Sequence, residues 1–419
     1  MIQLHSLNIL NGNCTLMKIF LADAIFSDDV ILRDHGIVFD KTILEISSHE
    51  DLRARFGESC HSLGEGSLII PGLVNAHVHL EFSANRSTLT YGEFMPWLSS
   101  VIASRNDLIN ECDDDCISAA IHTMLCNGIT AFGAVSSYGF DLNPCAAASQ
   151  KVVYFNELIG SDPAMADALY ADFQERLFAS QEIEREGFYP SIAIHSPYSA
   201  HRILIQKALK YAREKELRVT AHLLESTAER EWLDDNSGAF RPFFENFLKQ
   251  TQAANTSEEF LSYFNEIPTL FTHAVQTKDA ELSILSEANH TIIHCPISNR
   301  LLGNGVLDVS RLNEKNIRFV CGTDGLSSNY ALDLFEEMKI ALFIHPHENL
   351  LNLAQQLWKS VTADAAEALR LNCGKIIPTF DADFLVMRIE YPINEQLPIH
   401  LITQPHTIES VYIQGEKAK

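Results

Sequence analysis

Leu68-Ile69-Ile70-Pro71-Gly72-Leu73-Val74-Asn75-Ala76-His77-Val78-His79 is the stretch on which the fold turns. It is an apolar run that ends on two histidines, as expected of a strand buried on both faces with polar residues held back to one end. Seven more runs of the same texture follow it: Ile129–Val135, Val152–Ile159, Ser191–Pro197, Arg218–Leu224, Thr269–Val275, Thr291–Pro296 and Ile317–Thr323. Amphipathic segments such as Ile203–Lys215, Ala280–Ala288 and Ala331–Leu342 lie between them. Eight strand–helix units over about 300 residues predict an α/β fold, a (β/α)₈ TIM-type barrel, here spanning 68–377.

The flanks read differently. Residues 1–67 carry short alternating runs (Ile2–Leu10, Met17–Phe26, Gly36–Phe39, Ile43–Ser47), and 378–419 return to alternation at Phe384–Arg388 and Thr407–Gln414. Both chain ends are therefore expected to build one small β-sandwich beside the barrel. At 419 residues, 46% hydrophobic and 21% charged, the chain is neither fibrous nor largely disordered. Thirty-one Lys and Arg against fifty-five Asp and Glu leave a charge of −24. That field repels nucleic acid and anionic membranes, so neither is expected as a partner. There is no long apolar span and no leader-like pattern over Met1–Asn13. The nine scattered cysteines lack metal-knuckle spacing, and free thiols in a reducing cytoplasm are expected. Asp113–Asp115 reads as a solvated acidic turn.

Chemistry concentrates at the C-terminal ends of the runs. The first ends on His77-Val78-His79, whose i and i+2 rings point the same way on a strand. The fifth ends His222-Leu223-Leu224-Glu225, the sixth His273, and the eighth Gly322-Thr323-Asp324. In a barrel these ends meet on one face, where active sites are built. Three imidazoles and a carboxylate from this set suit one first-row divalent ion, zinc first and iron as the alternative. A lone histidine such as His5, His122 or His290 is better read as an ordinary core or surface residue.

Pro71 to His79, His222-x-x-Glu225, His273 and Asp324, in that order, resemble the amidohydrolase superfamily, in particular its cytosine deaminase/chlorohydrolase branch. His294-Cys295-Pro296-Ile297-Ser298-Asn299 and Gly322-Thr323-Asp324-Gly325-Leu326-Ser327-Ser328-Asn329 match two further signatures of that branch. The resemblance implies that His77, His79, His222 and Asp324 hold the metal, that Glu225 and His273 handle protons, and that Asp324 takes one from water. Binuclear members carry a carboxylated lysine on the fourth strand. Here that strand ends Ile194-His195-Ser196-Pro197, which implies a single metal and puts His195 in the substrate site.

His77-Val78-His79-Leu80-Glu81-Phe82-Ser83, Tyr91-Gly92-Glu93-Phe94 and Trp97-Leu98-x-x-Val101-Ile102-x-x-Arg105 are similar to the bacterial aminodeoxyfutalosine deaminases, which act on an adenine nucleoside on a route to menaquinone. That similarity implies a small-molecule nucleoside substrate with Glu93 against its ribose. It also implies a cation for the substrate's benzoate, with Arg300, Arg105 and Arg86 as candidates. Alternatives on the same machinery are deaminases of S-adenosylhomocysteine, methylthioadenosine, adenosine or guanine, and triazine chlorohydrolases. A non-catalytic structural protein on this scaffold is the remote one. The aromatics of Thr227–Pro268 are expected mainly as core, and a homodimer is left open.

Overall fold

The computed structural model describes residues 17–419 except Ser87 and Glu184, and excludes the side chains of Asn106, Leu108 and Ile109. The expected strand Ile2–Leu10 lies outside the described residues.

Eight parallel strands stand side by side in chain order: Leu73–Val78, Ile129–Ser136, Lys151–Leu158, Phe188–Ile194, Val219–Leu223, Thr269–His273, Thr291–His294 and Arg318–Cys321. The backbone N–H of Asp324, just past the eighth, donates to the His77 carbonyl of the first at 3.1 Å, which draws the two edges together. Helices cover the outside, and the fold is the expected TIM-type barrel. The helix Arg202–Glu214 buries Leu204, Ile205, Ala208, Leu209 and Ala212, a stripe at helical spacing that faces the strands.

The apolar run Leu68–His79 is two strands, not one. Ser67–Pro71 pairs antiparallel with Phe384–Arg388 and parallel with Lys18–Ser27, whereas Leu73–Val78 pairs with Ile129–Ser136. Gly72 makes the switch, and a Cβ there would sit 2.1 Å from the Thr130 hydroxyl oxygen. Every residue from Ser67 to Val78 is buried, so hydropathy carries no mark of the change of sheet.

The second sheet takes strands from both chain ends, in the order Glu416–Lys417, Thr407–Ile413, Phe384–Arg388, Ser67–Pro71, Lys18–Ser27, Val30–Phe39 and Ile43–Ser48, with His61–Ser62 also beside Lys18–Ser27. Phe39 and Phe384 sit three strands apart, about 14 Å in a flat sheet, yet their rings meet at 5.0 Å. The sheet therefore curls around Phe20, Phe39, Phe384 and Tyr412. Lys151, at the barrel's third strand, is buried against Asp383 and lies 3.1 Å from Asp381, tying sheet to barrel.

In the insertion between the fifth and sixth strands, Trp232, Phe240, Phe244, Phe260 and Phe264 are fully buried, with Trp232 stacked on Phe244 at 4.7 Å. Phe247 is exposed. Most of these aromatics are core, as expected. The acidic run is not a mere solvated turn. The Asp113 side chain accepts from Cys116 N at 2.9 Å and caps the helix Asp114–Cys126, whose first turn Asp114 and Asp115 favour electrostatically. Cys112 and Cys116 are free thiols 3.7 Å apart. Among the described residues no helix is long and apolar enough to cross a membrane.

Candidate active site

The first strand presents its two histidines as the alternation requires, with ring centroids 4.8 Å apart. The fifth strand brings His222 to them, with its Nε2 3.2 Å from His79 Nε2. Ring nitrogens of His77, His79 and His222 all lie within 4.8 Å of one another. His222 Nδ1 donates to the His195 carbonyl at 2.9 Å, which leaves Nε2 as a bare lone pair. His77 Nε2 is buried without a protein partner. Burial, with the neighbouring imidazoles, pushes the His77 pKa well below its usual value, and burial and His195 push His222 down to about 3. Neutral rings with converging lone pairs are a donor set that fits a divalent cation.

Asp324 lies beside these histidines. Its Oδ1 stands 3.8 Å from His77 Nε2 and 3.9 Å from His79 Nε2. Burial raises its pKa, any charge on His79, His77 or His273 and the Ser298 hydroxyl lower it, and the net direction is down. Ser298 and Ser328 donate to Oδ2 at 2.7 and 2.9 Å, and Gly325 N donates to Oδ1 at 2.7 Å.

Glu225 is the opposite case. Burial first, then the charges of Asp324 and Glu229, push its pKa well above the ordinary range, against one hydrogen bond from the Asn304 amide at 3.0 Å. Its Oε1 is 3.6 Å from His273 Nε2. His273 Nδ1 donates to Asn299 Oδ1 at 2.9 Å, so Nε2 turns its lone pair toward Glu225 and Asp324. Burial keeps that ring neutral.

The strand ends are strained. Leu224, His273, Ala274 and Asp324 take left-handed φ values of 48°, 72°, 50° and 58°. Each of the first two and the last is tied by specific bonds: Leu224 N to Glu229 Oε1 at 2.9 Å, His273 to Asn299, and Asp324 N to the His77 carbonyl.

His79, His222, Glu225, His273 and Asp324 form the floor of a cavity of about 310 Å³. Its throat is apolar, with Leu98, Val101, Ile102, Tyr138 and Ile159. His195 and Arg105 line it, and the Arg105 guanidinium lies 4.8 Å over the Tyr138 ring. Glu93, Arg86 and Arg300 are exposed and are not among its lining residues. Sequence reading passed over Glu157, at the end of the third strand, and Ser137 and Tyr198, all in the cavity wall. Glu157 obeys the strand-end rule that exposed the other groups, so a signal existed. Asn304, in a loop, carried none.

The chain matches the model of the Amidohydrolase family over residues 68–418. It is 44% identical over 403 residues to the aminodeoxyfutalosine deaminase of a Nitratiruptor species, covering 96% of this chain and 99% of that one. It is 30% identical over 393 residues to an adenosine deaminase of Helicobacter pylori, covering 92% and 95%. The crystal structure of Helicobacter pylori aminofutalosine deaminase in complex with methylthio-coformycin superposes with a TM-score of 0.90 at 29% identity, over 96% of this chain and 100% of that one. With the barrel, the strand-end histidines and carboxylates, and the match across nearly the whole chain, this protein belongs to the amidohydrolase family.

Proposed function

We propose that this protein hydrolytically deaminates the adenine ring of 6-amino-6-deoxyfutalosine, giving futalosine and ammonia for menaquinone synthesis. The observation that carries the reading is the end-to-end 44% identity to the Nitratiruptor aminodeoxyfutalosine deaminase. The cavity supports it: a polar floor for the purine, an apolar throat for an aryl group, and Arg105 in its lining for a carboxylate.

His77, His79, His222 and Asp324 would hold one divalent ion, zinc first and iron as the alternative. Bound there, the ion supplies a Lewis acid that brings the pKa of water toward about 7. Asp324, ionised, accepts a proton from the attacking water. Glu225, protonated at neutral pH, delivers its proton to the ring nitrogen beside the attacked carbon. His273 Nε2 holds the new oxygen by accepting a hydrogen bond from its O–H. The proton on Asp324 then leaves with the amino group as ammonia, and the hydroxyl proton returns to Glu225 as the ring carbonyl forms. Atoms and protons balance, and both carboxyls regain their starting states.

Ammonia release measured on aminodeoxyfutalosine and on adenosine tests the reading. A site that pairs a substrate carboxylate should favour aminodeoxyfutalosine in kcat/KM by at least about a hundredfold. Equal efficiency on the two would reject this substrate and favour an adenosine deaminase, the activity named for the 30% identical Helicobacter relative.

A further inference from the structure

Glu157 takes no part in the chemistry above, yet it is the most demanding group in the cavity wall. It is the penultimate residue of the third barrel strand, is 1% exposed, and lines the cavity. Its Oε2 accepts from the Ser137 hydroxyl at 2.5 Å. Ser137 is itself fixed, because its backbone N–H donates to Glu81 Oε2 at 2.7 Å. The Glu157 carbonyl accepts from Arg176 Nη2 at 3.0 Å. The carboxyl is thus locked at one oxygen and along its backbone, while Oε1 is buried and makes no hydrogen bond; His222 Nδ1, 3.7 Å from it, is already bonded to the His195 carbonyl at 2.9 Å.

A metal does not account for it. Ligand atoms of Glu157, His195 and His222 fall within 4.8 Å of one another. However, His222 Nδ1 already donates to the His195 carbonyl, and His222 Nε2 faces His79. The trio cannot offer three lone pairs. A buried carboxylate oxygen short of a donor is costly unless a ligand brings one. An adenine nucleoside has two kinds of donor, its amino group and its sugar hydroxyls. The amino group must face Glu225, His273 and Asp324, which come from the fifth, sixth and eighth strand ends. The sugar remains for the third.

We propose that Glu157 Oε1 accepts a hydrogen bond from a ribose hydroxyl and so selects ribonucleosides over their deoxy counterparts. This rests on the nucleoside reading above. It gives the sugar a buried, pre-oriented partner, where Glu93 is exposed and outside the cavity lining.

The test compares wild type, Glu157→Gln and Ser137→Ala on aminodeoxyfutalosine, adenosine, 2′-deoxyadenosine and 3′-deoxyadenosine. Gln keeps the Ser137 contact but turns an amide donor toward the sugar. Glu157→Gln should lower kcat/KM on both ribonucleosides by roughly 10- to 100-fold, mostly through KM, with metal content unchanged. On the deoxy analogue lacking the bonded hydroxyl, wild type should already be slow and the substitution should cost less than about threefold. Ser137→Ala should show the same pattern at smaller size, and it carries the test with the wild-type deoxy series if Glu157→Gln fails to fold. Equal losses on all substrates, or none, would overturn the proposal. If adenosine shows the pattern but aminodeoxyfutalosine is not preferred, the substrate reading fails and Glu157 keeps its role.

Discussion

Replacing Glu225 by Gln isolates one proton. The carboxyl is buried, and burial with the charges of Asp324 and Glu229 raises its pKa well above the ordinary range, which favours the protonated form. Glutamine has nearly the same volume, and its amide oxygen can keep the bond from Asn304 that Glu225 Oε1 accepts at 3.0 Å. That same oxygen, 3.6 Å from His273 Nε2, then stays in place. Neither the proposed metal ligands nor the Glu229 bonds to Leu224 N and Glu225 N change, since the latter use the backbone. What disappears is the acid. A positioned general acid is worth about 10²–10⁴-fold, or roughly 3–5.5 kcal/mol of barrier. We expect kcat to fall by at least two orders of magnitude while elemental analysis finds the metal unchanged and the melting temperature holds or rises, because a buried acid has been replaced by an amide. The wild-type rate should also decline on the alkaline side as Glu225 loses its proton, a limb that the variant's residual activity lacks. Turnover near wild type would refute the assignment of the proton to Glu225, and loss of metal would show that the residue supports the ligands instead.

Four further outcomes are expected. Purified protein should carry about one divalent ion per chain by elemental analysis, and His77→Ala should abolish it; two tightly held ions would contradict the single-metal reading. Arg105→Met should raise KM for aminodeoxyfutalosine by roughly 10- to 100-fold and leave adenosine little changed, read from parallel steady-state assays. Glu229 is raised to about 7 by burial, against its backbone hydrogen bonds and Arg230. Because the folded pKa lies above the unfolded one, its contribution is full below about 4.5 and is lost as pH rises through about 7. Glu229→Gln should therefore flatten the fall in stability between pH 5 and 8, by on the order of 2 kcal/mol in denaturant titrations. Lys151→Met leaves Asp383 buried without its cation, and should destabilise by about 3–5 kcal/mol without changing KM.

The barrel was legible because each parallel strand is buried on both faces and so writes itself as an apolar run. The same property hid the boundary at Gly72, where two strands of different sheets are equally buried and only the tight approach to Thr130 separates them. The candidate site residues were legible for a related reason. His77, His79, His222, His273 and Asp324 stand where an apolar run stops, and a barrel collects such ends on one face. Glu157 stands in the same kind of place, but it was absorbed into the run Val152–Ile159 because no motif singled it out. The arginines were a different problem. Arg105, Arg86 and Arg300 sit on a helix, after a short turn and at a helix end. Long side chains there are aimed by the packing around them, and strand register says nothing about where they point.

Two carboxyls share this cavity and their pKa values are moved in opposite directions, and the reason lies in what each is given. Asp324 receives two serine hydroxyls and a backbone N–H. Glu225 receives one asparagine amide and two carboxyl neighbours. Burial acts on both, so the difference comes from partners rather than depth. The serines belong to segments adjoining the barrel's last two strands, Ser298 on the helix Pro296–Leu301 and Ser328 in the turn after Asp324. The strained φ of Asp324 turns the chain within their reach. In the proposed mechanism the strain is tied to the chemistry: it brings the carboxyl that would accept a proton into a ring of donors, while Glu225, three residues past His222, is left short of them and would keep the proton that the reaction needs.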